Sequence, residues 1–350
     1  MEIVQVQESI RWNQLIKSFD NWDVYYLNEY ARSLQLHGDG QPNLIYYESG
    51  NGRIAFVMMK NDLAQLKEFS TVIQSGRYFD WTTPYGYGGP LVQGELSEHW
   101  MTDFFKELQE YCQKNMIVSQ FFRFHPLLQN QDVLKGVCEI RQIKKTVYID
   151  TSDKEVILKN MTPNNRNMVR KAKKNGVQII FDHGERIREF QKIYESTMQR
   201  NHAEDYYYFG EEYFDYLVDE MRDYTIYFYA IYEGRPISAS IFFYNRQYMH
   251  YHLSGTLQEY RNLASTNLLL SEAANWANDH GIARLHLGGG VEAEDSLLSF
   301  KKHFNRSGLT DFYIGRNIFL PEVYDELVEL RARTDPDFDI SKPYMIKYRG

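Results

Sequence analysis

Two stretches of this 350-residue chain repeat the same predicted pattern about half a chain apart. LIYYESGNGRIAFVMMK at residues 44–60 and YFYAIYEGRPISASIFFYN at residues 227–245 each combine two strand-like runs with a turn that contains Glu and Gly, which predicts two β-hairpins. A helical pattern precedes each hairpin, and a strand, a helix and a further strand follow it. This order, occurring twice, indicates a tandem duplication of an α/β unit with mixed sheets.

The flanking elements are predicted in matching pairs, one member in each half. The pairs are helical segments at 12–36 and 187–221, strands at 79–82 and 248–253, helices at 97–114 and 265–280, and strands at 121–124 and 284–287.

The boundary between the halves is expected at the polar residues 151–153, which follow a predicted strand at 145–150. This places a first domain at residues 1–150 and a second at 151–320. A C-terminal helix, with proline at its first position, and an irregular tail are expected at 321–350.

The composition is that of a soluble globular protein, with 43% hydrophobic and 25% charged residues. No run approaches the ~20 apolar residues of a membrane span, and the start MEIVQVQESIRW lacks the regions of a secretory signal. Two cysteines without a CxxC motif predict no disulfide framework and no zinc or redox site. We therefore expect a cytoplasmic protein. The net charge of −8 argues against a surface that coats nucleic acid but leaves room for a local basic patch.

The segment PNNRNMVRKAKKNG at residues 163–176 is such a patch. Asn164 is expected to cap a helix there, and Gly176 to end it in the left-handed conformation. The face predicts contact with the phosphates of RNA or of a nucleotide-linked substrate, with a solvated helix face as the alternative. Its basic residues lie three or four positions apart: Arg166, Arg170, Lys173 and Lys174.

A second candidate surface lies where a predicted helix gives way to a loop, in YESTMQRNHAEDYYYF. The guanidinium of Arg200 matches a phosphate or carboxylate, and the hydroxyl groups of Tyr207 and its two tyrosine neighbours add donors, so these residues are expected to bind substrate. The alternative is an aromatic loop packed on the sheet, with Arg200 paired to Glu204.

No motif for covalent or metal-dependent catalysis stands out. His250 and His252 alternate along a predicted strand and are expected on the same side of it. We expect them to be structural, because no third metal ligand has a suitable spacing. GxSxG and HExxH are absent, and the glycines 288–290 are not followed by the Lys-Ser/Thr of a P-loop. Direct transfer of an activated group within a cleft is therefore the expected enzyme class.

The order of several segments resembles the Fem family of aminoacyltransferases and the GNAT acyltransferases related to it. The resemblance extends from about residue 20 to about residue 320. The matching segments are WTTPYGYGGP, NNRNMVRKAKKNGV, TMQRNHAEDYYYF, ISASIFFYN, HLGGG and SFKKHF.

This resemblance implies a fold of two tandem GNAT-like domains without the coiled-coil arm that some members carry. It also implies a cytoplasmic transferase that moves an aminoacyl group from aminoacyl-tRNA, its co-substrate, to an amine of a peptidoglycan-type precursor in cell wall biogenesis. No cofactor or metal is implied. A lipid-linked precursor would bring the protein to the membrane periphery.

Individual residues correspond to family positions. Phe300 and Lys301 match the family's Phe-Lys pair, which implies that Phe300 contacts substrate and that Lys301 is catalytic, stabilising developing negative charge. Arg200 matches an arginine that contacts substrate phosphates, and Tyr251 a tyrosine of the cleft. Some members have an acidic residue where this chain has Gln93, which leaves the general base unassigned.

Two alternative functions stay open. A CoA-dependent GNAT N-acyltransferase on a sugar or polysaccharide precursor would bind pyrophosphate at residues 261–266, RNLAST, where GNAT enzymes have Arg/Gln-x-x-Gly-x-Gly/Ala. Both glycines are missing here, which impairs that site without excluding CoA. The other alternative is a non-catalytic binding protein with the same fold.

Overall fold

A computed structural model describes residues 1–290 and 295–350 and divides the chain into two compact units. The first unit comprises Met1–Ile143 and Phe312–Gly350, and the second comprises Lys144–Asp311. The division thus falls before the predicted boundary at residue 150, and residues 312–350 belong to the first unit rather than to a separate C-terminal segment.

In the first unit, a hairpin and one further strand lead through a helix into a parallel strand. The strands before the division are β1 (Glu2–Gln5), β2 (Gln41–Ser49), β3 (Gly52–Asp62), β4 (Phe79–Thr82), β5 (Leu91–Gln93) and β6 (Ile117–Arg123). The helices are α1 (Ser9–Lys17), α2 (Asn28–His37) and α3 (Glu98–Lys114). The sheet has the order β1-β2-β3-β4-β6, with β5 also paired to β3, and β6 runs parallel to β4.

The hairpin predicted at residues 44–60 is confirmed as β2–β3. The helical pattern predicted over residues 12–36 forms two helices instead of one. Between them the side chain of Asp23 accepts a hydrogen bond from the backbone N–H of Tyr25, which caps a short 3-10 turn. Local side-chain hydrogen bonding of this kind competes with a continuous helix.

The second unit repeats the arrangement. Its strands are β7 (Glu139–Asp150, from Lys144 onward in this unit), β8 (Gln178–Asp182), β9 (Thr225–Tyr232), β10 (Arg235–Tyr244), β11 (Tyr248–Thr256) and β12 (Arg284–Gly289). Its helices are α4 (Lys154–Asn160), α5 (Pro163–Lys174), α6 (Ile187–Arg200), α7 (Glu211–Glu220), α8 (Ser265–Asp279) and α9 (Ser296–Lys302). The order is β7-β12-β11-β10-β9-β8, in which only β11 and β12 are parallel neighbours.

The predicted duplication is confirmed by these two topologies. A hairpin and a strand, β2-β3-β4, lead through α3 to the parallel strand β6, and β9-β10-β11 lead through α8 to the parallel strand β12. Parallel neighbours need such a crossover connection, so the helix after each third strand is required by the topology.

After the second unit the chain returns to the first. In β13 (Leu309–Ile318), residues 314–318 pair antiparallel with residues 119–123 of β6. Helix α10 (Pro321–Thr334), with the predicted proline at its first position, buries Leu327 and Val328 in a core shared with Phe69. Strand pairing and this apolar core explain why residues 312–350 belong to the first unit.

The longest helix in residues 1–290 and 295–350 is α3, with 17 residues, so these parts of the chain contain no coiled-coil arm. No helix in the same parts is long and apolar enough to cross a membrane.

Candidate active site

Strand β12 ends in the three glycines that follow its apolar run. Gly288 has a φ of 72°, in the left-handed region, at a shift in the pairing of β12 with β7. A Cβ at Gly289 would come within 2.8 Å of the carbonyl oxygen of Lys145, and a Cβ at Gly290 would overlap the carboxylate of Asp295. Close backbone approach therefore requires glycine at these positions.

Helix α9 begins at Ser296. Asp295 is its N-cap, and its carboxylate accepts a hydrogen bond of 2.7 Å from the backbone N–H of Leu298. Leu298 is buried in the core of the second unit.

Helix α9 carries Lys301 into the interior, where its side chain is 7% exposed. Its Nζ donates a hydrogen bond of 2.7 Å to the carbonyl oxygen of Gly289 and lies 5.9 Å from the ring centroid of Tyr251. Burial, reinforced by the positive charge of Lys144 and opposed by Asp295, lowers the pKa of Lys301 to about 7. Its amine is therefore present in both protonation states near neutral pH.

Lys144, on β7, is a neighbour of this site that the sequence does not reveal. Its Nζ donates a hydrogen bond of 2.8 Å to the carbonyl oxygen of Gly290, the residue after the carbonyl that Lys301 binds. Two lysines thus bind consecutive carbonyl groups at the end of β12. The two lysines are far apart in the chain and belong to no common motif, so only the tertiary structure brings them together.

Tyr251 and Phe300 are the two residues that the sequence places in the cleft. Tyr251 is half-buried on β11 beside Lys301, and burial raises the pKa of its phenol. Phe300 is also half-buried and packs edge-on against Phe304, with 5.4 Å between the ring centroids. Tyr251 and Lys301 therefore lie close together at one end of β12, and Phe300 precedes Lys301 on α9.

Arg200 lies at the far end of β11. Its Nη1 donates a hydrogen bond of 2.7 Å to the carbonyl oxygen of Thr256. Among the described residues, Arg200 does not form the ion pair with Glu204 that the structural alternative includes. Burial and the charge of Arg261 lower the pKa of Arg200, which indicates that two guanidinium groups face the same region. Thr256 is five residues beyond Tyr251, roughly 16 Å along a strand, so Arg200 and Lys301 do not act on the same atoms.

A hydroxyl network surrounds this end of β11, where helix α8 begins. The Oγ atom of Ser238 lies 3.0 Å from Thr256 Oγ1 and 2.6 Å from Ser265 Oγ, and Thr256 Oγ1 lies 3.0 Å from Thr266 Oγ1. Ala264, before the first residue of α8, takes the left-handed conformation with a φ of 55°. Ala264 stands at the position of the first glycine of the GNAT motif and takes a backbone conformation that favours glycine, although it carries a methyl group.

Tyr207 ends a 3-10 turn between α6 and α7. Its carbonyl oxygen accepts a hydrogen bond of 2.8 Å from the hydroxyl of Tyr194, and its ring packs edge-on against Tyr206. Phe209, just after this turn, is buried and stacks on Tyr213 with 4.4 Å between centroids. Through these contacts the loop packs on helices α6 and α7, and the ring of Tyr207 is half-buried.

The basic segment forms α5, but the prediction that Asn164 is its N-cap is wrong. Thr162 is the N-cap, and its Oγ1 accepts a hydrogen bond of 3.3 Å from the N–H of Asn165. Pro163 occupies the first helical position, where its fixed φ fits and its missing N–H costs nothing, so the cap must precede it. Gly176 follows the helix with a φ of 84°, as predicted.

The four predicted donor-binding residues of α5 separate into two pairs. Arg166 donates hydrogen bonds of 3.0 and 2.9 Å to the carbonyl oxygens of Leu158 and Met161 at the end of α4, and Lys173 forms an ion pair of 2.8 Å with Glu272. Arg170 and Lys174 are exposed, and neither forms an ion pair within the described parts of the chain. The open cationic surface is therefore smaller than the sequence suggests.

A cavity of about 530 Å³ lies beside α5, between β8 and α8. Lys173, Phe181 and Trp276 contribute to its lining, whereas Lys301 does not. Phe181 is 54% exposed, which is unusual for a large apolar side chain.

Of the two strand histidines, His252 has a structural hydrogen-bond partner. A bulge in the pairing of β10 with β11 interrupts the alternation on which their predicted shared face depends. His252 Nε2 lies 2.8 Å from the hydroxyl of Tyr213, and burial together with His250 lowers the pKa of His252 to about 3.

Residues 160–302 match the family model for an acetyltransferase (GNAT) domain. The second unit carries a GNAT acyltransferase domain. The matched residues include Tyr251, the glycines of β12 and Lys301, whereas Lys144 precedes the matched range. The predicted relationship to GNAT-type acyltransferases is therefore confirmed.

Solved structures share the fold over nearly the whole chain. FemX superposes with a TM-score of 0.65 at 14% identity, over 93% of this chain and 99% of its own. The C-terminal domain of a putative lysylphosphatidylglycerol synthetase from Agrobacterium fabrum gives 0.58 at 13% identity, over 92% and 96%. A tandem GNAT protein from the clavulanic acid biosynthesis pathway gives 0.52 at 8% identity, over 91% and 98%. No curated protein matches the sequence significantly.

Proposed function

We propose that this protein transfers an aminoacyl group from aminoacyl-tRNA to an amine of a cell-envelope precursor of the peptidoglycan type. The observation that carries the proposal is Lys301, a buried amine beside Tyr251 at the end of a central strand of the GNAT domain. The fold shared with FemX and with a lysylphosphatidylglycerol synthetase supports it, since lysylphosphatidylglycerol is an aminoacylated envelope lipid.

The reaction needs no covalent enzyme intermediate. The acceptor amine attacks the ester carbonyl carbon of the donor, and the ribose oxygen of the donor leaves. Lys301 would lie at these reacting groups, where a cationic amine stabilises developing negative charge, and Tyr251, Phe300 and the more distant Arg200 and Tyr207 would hold the acceptor. A lipid-linked acceptor would be met at the membrane surface.

The exposed cations of α5 support a nucleic acid as donor. Arg170 and Lys174 are open to solvent in a protein with a net charge of −8, and phosphates are the ligands that such a patch attracts. The exposed ring of Phe181, in the cavity that Lys173 also lines, adds a surface on which an unpaired base can stack. Arg166 would support this surface indirectly by holding the end of α4.

A CoA-dependent N-acyltransferase acting on a sugar or polysaccharide precursor is the second candidate. The paired guanidinium groups of Arg200 and Arg261 near the start of α8 favour an anionic ligand there. The methyl group of Ala264 opposes the close backbone approach that a pyrophosphate makes at this point. A non-catalytic binding protein is the third candidate.

One experiment separates these candidates. The purified protein is incubated with labelled aminoacyl-tRNAs or acyl-CoAs together with peptidoglycan or polysaccharide precursors, and mass spectrometry follows donor and acceptor. Loss of an aminoacyl-tRNA coupled to a mass gain of one residue on a peptidoglycan precursor is the expected result. Consumption of acyl-CoA alone would replace the proposal with the second candidate, and binding of precursor without consumption of any donor would favour the third.

A further inference from the structure

We propose that Lys301 carries the proton of the transfer reaction, as the general base that the sequence leaves unassigned, and that Lys144 is the positioning residue that keeps its amine ready to accept that proton. This inference rests on the proposed function and assigns roles within the same site. It is based on the two lysines that bind consecutive carbonyl groups at the end of β12.

The arrangement disfavours two adjacent cations. Lys301 Nζ and Lys144 Nζ bind the neighbouring carbonyl oxygens of Gly289 and Gly290, at 2.7 and 2.8 Å. Carbonyl oxygens stabilise a donor but do not neutralise a charge, and within the described residues Lys301 forms no ion pair with a carboxylate. Lys301 is buried and Lys144 only partly so, so burial acts more strongly on the charged form of Lys301.

The ionisable groups around Lys301 come from four elements. Lys144 of β7 opposes its charge, and the carboxylate of Asp295 at the start of α9 favours it but is also engaged in capping that helix. Tyr251 of β11 remains a neutral phenol, because burial raises its pKa. His286 of β12 lies 2.9 Å from the hydroxyl of Thr146. Of these groups, Lys144 is the cation that acts on Lys301.

Lys301 takes up one proton and returns it within each reaction cycle. Attack of the acceptor amine forms an N–C bond and leaves an ammonium nitrogen and an oxyanion on the tetrahedral adduct. Neutral Lys301 takes one proton from that nitrogen and becomes a cation next to the developing charge. The C–O bond to the donor's ribose then breaks, and Lys301 returns the proton to the leaving oxygen, giving an amide, a free hydroxyl and neutral Lys301.

The titration of Lys301 can be measured without any substrate. NMR of protein carrying ¹³C at the lysine Cε gives the midpoint for Lys301, assigned by the signal that Lys301→Gln removes, with exposed Lys174 as the internal reference. We expect a midpoint near 7 for Lys301, raised in Lys144→Gln and kept in Lys144→Arg. Lys145→Gln is the matched control, because Lys145 is the next residue on β7 and pairs with Asp311 instead.

Activity then tests the role of this proton. The acidic limb of kcat/KM against pH should follow the NMR midpoint of Lys301 in the wild type and in Lys144→Gln, whereas a merely structural Lys144 would lower the rate without moving the limb. A Lys301 midpoint equal to that of Lys174, or one unchanged in Lys144→Gln, would overturn the inference. An acidic limb of kcat/KM whose midpoint differs from the NMR midpoint of Lys301 would also overturn it. If no donor is consumed, the proposed function fails and the proton-carrier role with it, while the NMR titration still decides whether the lysines are coupled.

Discussion

Arg349, the penultimate residue, forms a two-pronged ion pair with Asp80 of β4. Its Nε and Nη2 atoms donate to the two carboxylate oxygens at 2.6 and 2.7 Å, and Asp80 is 1% exposed. The hydroxyl of Tyr348 donates to the same carboxylate at 3.1 Å. Arg349 and Tyr348 are thus bound to β4, the strand that pairs with β3 and β6 in the sheet of the first unit.

This ion pair makes the C-terminus a stabilising element. Asp80→Asn should lower the free energy of unfolding by about 2 kcal/mol, because it removes the charge of the buried carboxylate that accepts both hydrogen bonds from the partly exposed side chain of Arg349. Denaturant unfolding measures the change. Arg333→Met, which removes an exposed i,i+4 ion pair with Glu329 on α10, is the control and should cost below about 0.5 kcal/mol. Equal losses in the two variants would show that the interaction with Asp80 adds nothing to stability.

The sequence predicts the duplicated topology because periodicity, turn residues and element order are local properties. The hairpins and the strand at Phe79–Thr82 follow from such signals. The return of residues 312–350 to the first unit depends instead on pairing with β6 and on Asp80, which lie far away in the chain.

The candidate site, like the fold, can be predicted only in part from the sequence. Lys301 is indicated by its motif, whereas its partner Lys144 comes from a strand more than 150 residues earlier. A charge count along α5 likewise cannot show that Arg166 caps α4 or that Lys173 pairs with Glu272, because both partners lie outside the helix.

Burial of Lys301 should cost stability in a pH-dependent way. Its folded-state pKa of about 7 lies below the ordinary value of 10.5, so between these limits the unfolded chain binds more protons than the native state. Stability therefore rises with pH across this window, by up to about 1.4 kcal/mol per unit, and the full penalty is present below pH 7.

Denaturant unfolding of the wild type and Lys301→Met from pH 6 to 10 measures this effect. The variant should be the more stable protein at pH 6, and its advantage should shrink by a few kcal/mol as the pH rises to 10. Lys302→Met, one residue further along α9, is the control and should follow the wild-type curve. Parallel curves for the wild type and Lys301→Met would contradict a lowered pKa of Lys301.

Binding of tRNA should depend on Arg170 and Lys174, two exposed cations of α5. Neutralising one phosphate contributes about 0.7–0.9 to the slope of log K against log salt, so the double variant Arg170→Glu, Lys174→Glu should bind more weakly and reduce the slope by about 1.5. Fluorescence anisotropy with labelled tRNA at several salt concentrations measures both quantities. The double variant Arg333→Glu, Lys135→Glu, at two exposed cations of the first unit, is the control for net charge. A double variant with the wild-type slope would remove α5 from the donor-binding surface.

His252 should make the protein sensitive to acid. Its folded-state pKa of about 3 lies below the ordinary 6.5, so between these values the unfolded chain binds the extra proton and stability is lost as the pH falls, by up to about 1.4 kcal/mol per unit. In His252→Gln this loss is absent, so the gap in unfolding free energy between wild type and variant should narrow by about 3 kcal/mol from pH 7 to pH 4. His99→Gln, which removes an imidazole that is 87% exposed, is the control. A gap that stays constant over this range would show that His252 is protonated in the folded protein as readily as in the unfolded chain.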